Sequence, residues 1–125
     1  MKKQLKIYDL VFSGFGASSC ILINQLHKKN ELHKKRILIL DPSEKKTNDK
    51  TFCFWANPND DIVVDHQEIV THSWSKVWID EALTSNIAPL KYHHISSEGL
   101  YNKTRKVLKN YDVTFCNETV EKIEE

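Results

Sequence analysis

The 125-residue sequence predicts an α/β fold built on a Rossmann-like βαβ crossover, with antiparallel strands inserted into it. Three observations carry that prediction. Tyr8–Ser19, YDLVFSGFGASS, reads as an apolar strand, a glycine turn and the start of a helix. Arg36–Asp41, RILILD, is a second short apolar run, ending on an acid and followed by Pro42. A second helical pattern after Ser96 leads into a third apolar run at Asp112–Phe115, so strand and helix alternate again.

The first strand is expected over Leu5–Phe12, where Leu10-Val11-Phe12 suits a central parallel strand buried on both faces. Ser13–Gly16 is the turn, with the spacing Gly14-x-Gly16-x-x-Ser19. Gly14 permits a tight turn, and Gly16 keeps a Cβ out of the way of an approaching pyrophosphate. The backbone of Gly14, Phe15, Gly16, Ala17 and Ser18 is then the candidate phosphate cradle, at the amide end of a helix. A plain strand-to-helix connection is the competing reading. Ser18 is either a hydroxyl donor to phosphate or a solvated first-turn residue. Ser19 stands where the pattern has a third glycine and is small enough for close helix–strand packing.

The helix is predicted over Ala17–Lys29, with Ser19, Leu22, Ile23 and Leu26 facing inward at three- and four-residue spacing. His27, Lys28 and Lys29 suit the negative pole of its dipole, and Asn30 is a stop. Asp41, at the end of the second strand, falls where such crossovers hold a ribose hydroxyl, somewhat beyond the usual spacing of about 20 residues. The basic loop Lys28–Arg36 absorbs the excess. Asp41 competes with its own role as a turn-former before Pro42. An acid at this position disfavours a 2′-phosphate, so FAD or NAD is favoured over NADP.

Ser43–Lys50 is a polar loop, followed by the aromatic cluster Thr51–Trp55 and a turn at Asn57–Asp61. A short strand is expected at Ile62–Asp65, and another at Trp74–Ile79 with Trp74 and Trp78 on one face. Lys91–Ile95 is expected to pair with the latter. Adjacent His93 and His94 point to opposite faces of a strand and cannot share one metal. His66 and His72, near Asp65 and Glu68, lack a recognised ligand spacing, so no metal site is expected. Ser96 or Ser97 can cap a helix reaching about Asn110, with Leu100, Lys103 or Thr104, Val107 and Leu108 inward. A last strand is expected over Thr119–Ile123.

Composition narrows the function classes. A formal charge of +1 argues against a nucleic-acid binder, and 40% apolar with 28% charged residues is ordinary for a folded domain. No apolar run approaches the ~18 residues of a membrane span, and Asp9 interrupts the one N-terminal stretch that resembles a leader. The expected location is the cytoplasm. Cys20, Cys53 and Cys116 are odd in number and widely spaced, which points to reduced thiols. Lys28, Lys29, Lys34, Lys35 and Arg36 read as a solvated loop before they read as a contact to the inner face of the cell membrane.

Tyr8–Ser19, Arg36–Asp41 and above all Asn48–Trp55, NDKTFCFW, resemble the N-terminal part of the lycopene cyclase family. The octapeptide is similar to that family's Asn-Asp-Arg-Thr-Trp-Cys-Phe-Trp signature, with Lys50 in place of the arginine and Phe52 in place of the first tryptophan. Tyr92–Ile95 and Gly99-Leu100-Tyr101 resemble the family's strand leading into a helix. The resemblance implies an FAD-binding unit of the p-hydroxybenzoate hydroxylase/glutathione reductase type. It also implies a lycopene or related carotenoid substrate, whose linear ends are closed into ionone-type rings in a net isomerisation. NAD(P)H would keep the flavin reduced. Lys50 and Thr51 become candidates for polar contacts to the cofactor, although lysine lacks the bidentate geometry of arginine. The Thr119-Val120 backbone becomes a candidate adenine contact, and Trp74 with Trp78 either a carotenoid-lining wall or ordinary core. The family's acidic catalytic motif matches nothing here. The chain is accordingly expected to be a partial FAD-binding domain over residues 1–125, inactive alone and without catalytic residues. Residues 57–95 would lend strands to an incomplete substrate domain. Another FAD-dependent oxidoreductase, of monooxygenase or geranylgeranyl reductase type, and a non-catalytic nucleotide-binding module are the competing functions.

Overall fold

The computed structural model describes residues 6–80 and 83–125, and the side chains of these except at 79 and 83–85. It divides into two compact units, the first formed by Met1–Lys46 with Tyr101–Glu125 and the second by Thr47–Leu100.

The first unit is the expected crossover. Strand β1 (Leu10–Ser13) leads into helix α1 (Ala17–Lys28) and then β2 (Arg36–Leu40). These two strands pair in parallel, Leu10 with Ile37 through Ser13 with Leu40. Strand β8 (Asp112–Cys116) pairs in parallel on the other side of β2, giving the order β1-β2-β8. Ile37 and Ile39 of β2 are fully buried, as a central strand requires. Phe12, Phe15, Cys20, Ile23, Leu32, Tyr101 and Leu108 complete the core. Phe15 stacks on Tyr101 and meets Phe115 edge-on, with centroids 6.0 and 5.5 Å away. The side-chain amide of Asn24 donates to Thr104 Oγ1 at 2.8 Å, tying α1 to the helix that precedes β8.

Four expectations for this unit are corrected. Strand β1 begins at Leu10; Leu5 lies outside the described residues. It sits at an edge of this sheet with Val11 56% exposed, and β2 holds the central position instead. Helix α1 turns Cys20, Ile23 and Asn24 inward and leaves Leu22 half exposed, because the buried Phe15 and the Gly16 turn fix its phase. Thr119–Ile123 forms no strand. Val120 and Ile123 are three residues apart, which puts them on opposite faces of an extended chain and gives a strand no apolar side. The stop at Asn30 is as expected. Its φ of 56° is left-handed, and Asn30 N–H and Glu31 N–H donate back to the His27 and Leu26 carbonyls in a Schellman closure.

The second unit is an antiparallel sheet of order β3-β7-β4, formed by β3 (Thr51–Ala56), β4 (Val70–Trp74) and β7 (Lys91–Ser96), beside a hairpin of β5 (Lys76–Ile79) and β6 (Leu83–Asn86). Helix α3 (Ser97–Leu108) starts here and runs into the first unit's sequence. Phe54, Ala56, His93 and Ile95 share the inner face of the sheet by alternation, and three of the four are buried.

The second unit departs from expectation in three places. Ile62–Asp65 was expected as a strand, but Asp61–Val64 is a single helical turn, α2. The Asp60 carboxylate accepts Asn57 N–H, and its carbonyl accepts Val63 and Val64 N–H, so the acidic turn nucleates a helix. Trp74–Ile79 was expected as one strand; Ser75 ends β4, and β5 belongs to the hairpin, so Trp74 and Trp78 do not share a strand face. Lys91–Ser96 pairs with the Trp74 end of that segment and with β3, while β5 pairs with β6, which sequence did not reveal.

Candidate functional site

The two 12-residue helices begin in opposite ways. At α3 the first-turn amides are closed by side chains: Ser96 Oγ accepts Gly99 N–H at 3.0 Å, and Asn48 Oδ1 accepts Ser97 N–H at 3.1 Å and Glu98 N–H at 3.4 Å. At α1 the N-cap is Gly16, no side chain caps the helix, and no acid stands in its first turn. The first amides of an α-helix have no acceptor within the helix, so α1 presents uncancelled donors and the positive dipole end. Such a helix end is suited to an anion.

The two glycines of the turn serve different needs. Gly14 has φ +99°, a conformation that side chains resist, so the turn itself demands glycine. Gly16 is extended, with φ −93° and ψ −163°, and any residue can adopt that backbone. A Cβ built at Gly16 meets no atom within 4 Å. Glycine at position 16 therefore keeps free a space beside the open amides that the fold does not itself use.

Asp41 joins this turn. Its Oδ2 accepts Phe15 N–H at 2.8 Å and its Oδ1 accepts Ser43 N–H at 2.8 Å. Gly14 N–H donates to the Leu40 carbonyl at 2.6 Å, so the end of β2 holds the glycine turn at two points. Each carboxylate oxygen has a second lone-pair site, which leaves Asp41 capacity to accept further hydroxyls. Next to it, Leu40 and the segment Glu118–Lys122 line an open groove of about 760 Å³ at the C-terminal ends of the parallel strands. Open α/β sheets bind ligands at that end.

Gly14, Phe15, Gly16, Ala17, Ser18 and Asp41 thus form one turn, and Val120 lines the groove beside Leu40. Ser18 is exposed. Lys50 and Thr51 lie in the second unit, both exposed. Cys20, beneath the turn, is inert: burial pushes its thiol up to about 12, against a weaker opposing hydrogen bond from Thr104.

The octapeptide Asn48–Trp55 divides into parts with different tasks. Asn48 is a helix cap, since its Oδ1 also accepts the Ser97 hydroxyl at 2.8 Å, while Lys50 N–H donates to Ser97 Oγ at 3.3 Å. Phe52 and Phe54 turn inward, and Cys53 and Trp55 face out. His93, expected as one of a divided pair, is buried and structural. Its Nε2 lies 3.1 Å from the Ala56 carbonyl, which assigns the proton to that nitrogen, and Nδ1 accepts from Ser73 Oγ at 2.8 Å. Among the described residues, no three His, Cys, Asp or Glu side chains are placed to hold a metal ion, and no helix is long and apolar enough to cross a membrane.

Two features of this site were not anticipated from sequence. The Asn48 cap spans about 50 positions and has no local signal. The exposed aromatic row of Trp55, Tyr92 and Trp74 had one: each belongs to an i, i+2 pair of ring or thiol residues, Cys53/Trp55, Tyr92/His94 and His72/Trp74.

The family model described as lycopene cyclase protein matches residues 9–125. The chain belongs to the lycopene cyclase family. No curated protein matches it. Among solved structures it is similar to pqsL of Pseudomonas aeruginosa, a probable FAD-dependent monooxygenase, with TM-score 0.52 and 11% identity. The match covers 86% of this chain and 32% of that one, so the chain spans about a third of its length. At that identity the likeness is one of fold, and it supports the α/β unit with parallel sheet and inserted antiparallel strands.

Proposed function

We propose that this chain is the FAD-binding part of an enzyme that closes the linear ends of lycopene, or a related carotenoid, into ionone-type rings in carotenoid biosynthesis. The observation that carries the reading is the uncapped start of α1, with the open space at Gly16, in a member of the lycopene cyclase family. The amides of Gly16, Ala17 and Ser18 are proposed to bind the pyrophosphate, with Gly14 and Phe15 shaping the turn. Asp41 would accept a ribose hydroxyl with its remaining lone pairs while still holding Phe15 N–H. Val120 would line the adenine end of the groove at the sheet's C-terminal edge. Lys50 and Thr51 are candidates for polar contacts to the cofactor on the octapeptide's resemblance to the family signature alone.

When bound, reduced flavin would supply either stabilisation of a cationic transition state or the proton, and NAD(P)H would serve as its reductant. The chain's own part is to bind and orient. No residue here is assigned a catalytic role, and residues 57–95 are proposed to contribute strands to a substrate domain.

Flavin released by denaturing the purified protein should be detectable by its fluorescence. A full-length homologue carrying this segment should convert lycopene to ring-bearing product in lycopene-accumulating cells. Lycopene persisting without cyclised product, while flavin is bound, would favour a monooxygenase or reductase of the same fold. Absence of flavin would favour a nucleotide-binding module of another kind.

A further inference from the structure

Among the described residues, strand β8 is one edge of the first unit's sheet and pairs only with β2. The Cys116 carbonyl accepts Asp41 N–H at 3.1 Å, so Asp112, Thr114 and Cys116 turn their backbone groups toward β2. By alternation, Val113 and Phe115 aim their N–H and C=O groups outward, away from the sheet. From Val113 to Cys116 the strand has no proline, no charged residue and no register shift to discourage pairing. Phe115 is 48% exposed, although its ring meets Phe15 edge-on.

Two open grooves flank this edge. One, of about 310 Å³, sets Val113 and Phe115 beside Leu108, with Arg105 and Lys109 also lining it. The other, of about 190 Å³, lies where Phe115 and Asn117 meet Arg105, Glu44 and Lys46. Lys46 and Glu44 pair at 3.3 Å and offset one another, so Arg105 and Lys109 set the sign of the surface. Arg105 donates to the Glu44 and Lys45 carbonyls, which holds its guanidinium in place and leaves further N–H groups for an anion.

We propose that this edge binds an extended, acidic segment of a partner protein as an added strand. Main-chain bonds to Val113 and Phe115 supply the affinity. Side chains of an added strand alternate, so the grooves select an apolar residue over Val113 and Phe115 and a carboxylate two positions away, against Arg105 or Lys109. A second copy pairing edge to edge suits the site less, because a two-fold contact brings the Arg105 and Lys109 of both copies together. The inference concerns the first unit's outer edge and does not rest on the flavin argument.

A fluorescein-labelled peptide repeating Glu-Thr-Val-Thr should bind the full chain, read by anisotropy, and a Lys-Thr-Val-Thr repeat should bind about tenfold more weakly or worse. Val113→Pro removes an amide that the sheet does not use, which edge strands tolerate, and should weaken binding about tenfold or more with an unchanged circular dichroism spectrum. Lys109→Glu should weaken it about fivefold at low salt, with the difference shrinking as salt rises. A further arm needs no variant: N-methylating either the Glu and Val amides or the Thr amides blocks one edge of the peptide, so one methylated peptide should bind and the other should not. Four results would overturn the proposal. They are no binding of the acidic repeat, no difference between the two methylated peptides, unchanged affinity in a folded Val113→Pro protein, and self-association without peptide that Val113→Pro abolishes. The last would assign the edge to a second copy.

Discussion

Replacing Asn48 by alanine tests what the family octapeptide does in the fold. Asn48 Oδ1 takes three donors at once: Ser97 N–H, Ser97 Oγ–H and Glu98 N–H. Losing an N-terminal cap costs about 1 kcal/mol, within a range of 0.5–2. Ser97 is fully buried, so its hydroxyl cannot turn to water, and an unsatisfied buried group adds about 1 kcal/mol or more. The sum is about 2 kcal/mol. With a urea dependence of about 2 kcal/mol per molar, the unfolding midpoint should fall by roughly 1 M. Asn48→Asp keeps the oxygens and adds negative charge at a helix N-terminus, so it should come close to wild type. Urea titrations followed by far-ultraviolet circular dichroism measure both. An alanine variant as stable as wild type, or an aspartate variant as damaged as the alanine one, would refute the capping role.

Gly99→Ala should destabilise by about 1–3 kcal/mol, because a Cβ there stands 2.9 Å from Ile69 Cγ2 and 3.2 Å from Ser96 Cβ; thermal unfolding reads it. Arg105→Ala should lower stability by about 1–2 kcal/mol in the same assay. The guanidinium donates to the Lys45 carbonyl at 2.7 Å and to the Glu44 carbonyl, and lies over the Phe15 ring at 5.4 Å. Burial pushes the Cys20 thiol from its ordinary value of 9.0 up to about 12 in the folded chain. Stability should therefore fall as pH rises above 9, where only the unfolded form gains by losing the proton, and Cys20→Ala should flatten that fall.

The first unit was legible because its signals are local. RILILD could only be a buried strand, the glycine turn stood directly before a helical pattern, and Asn30 ended that helix where its left-handed φ requires. The inward face of α1 was misjudged because Leu22 and Leu26 outrank Cys20 and Asn24 in apolarity, whereas the phase is fixed by Phe15 packing between Tyr101 and Phe115. Those partners lie far along the chain. The second unit was harder to read, since β4 and β6, VTHSW and LTSN, carry polar residues and are strands by pairing more than by propensity. Asp41 was foreseen at the right place, yet its bond to Phe15 N–H depends on how the ends of β1 and β2 are aligned, which spacing alone does not fix.

The open start of α1 is proposed to hold the pyrophosphate of FAD. Titrating FAD into the flavin-free protein and into Gly16→Val, with thermal unfolding of both, tests that placement. The fold leaves the Cβ direction at Gly16 empty and its backbone unstrained, so the flavin-free variant should keep its fold, losing only the roughly 1 kcal/mol that valine costs in place of glycine at an N-cap. The valine should fill the phosphate's place and abolish measurable FAD binding. A Gly16→Val protein that binds FAD as tightly as wild type would contradict the account.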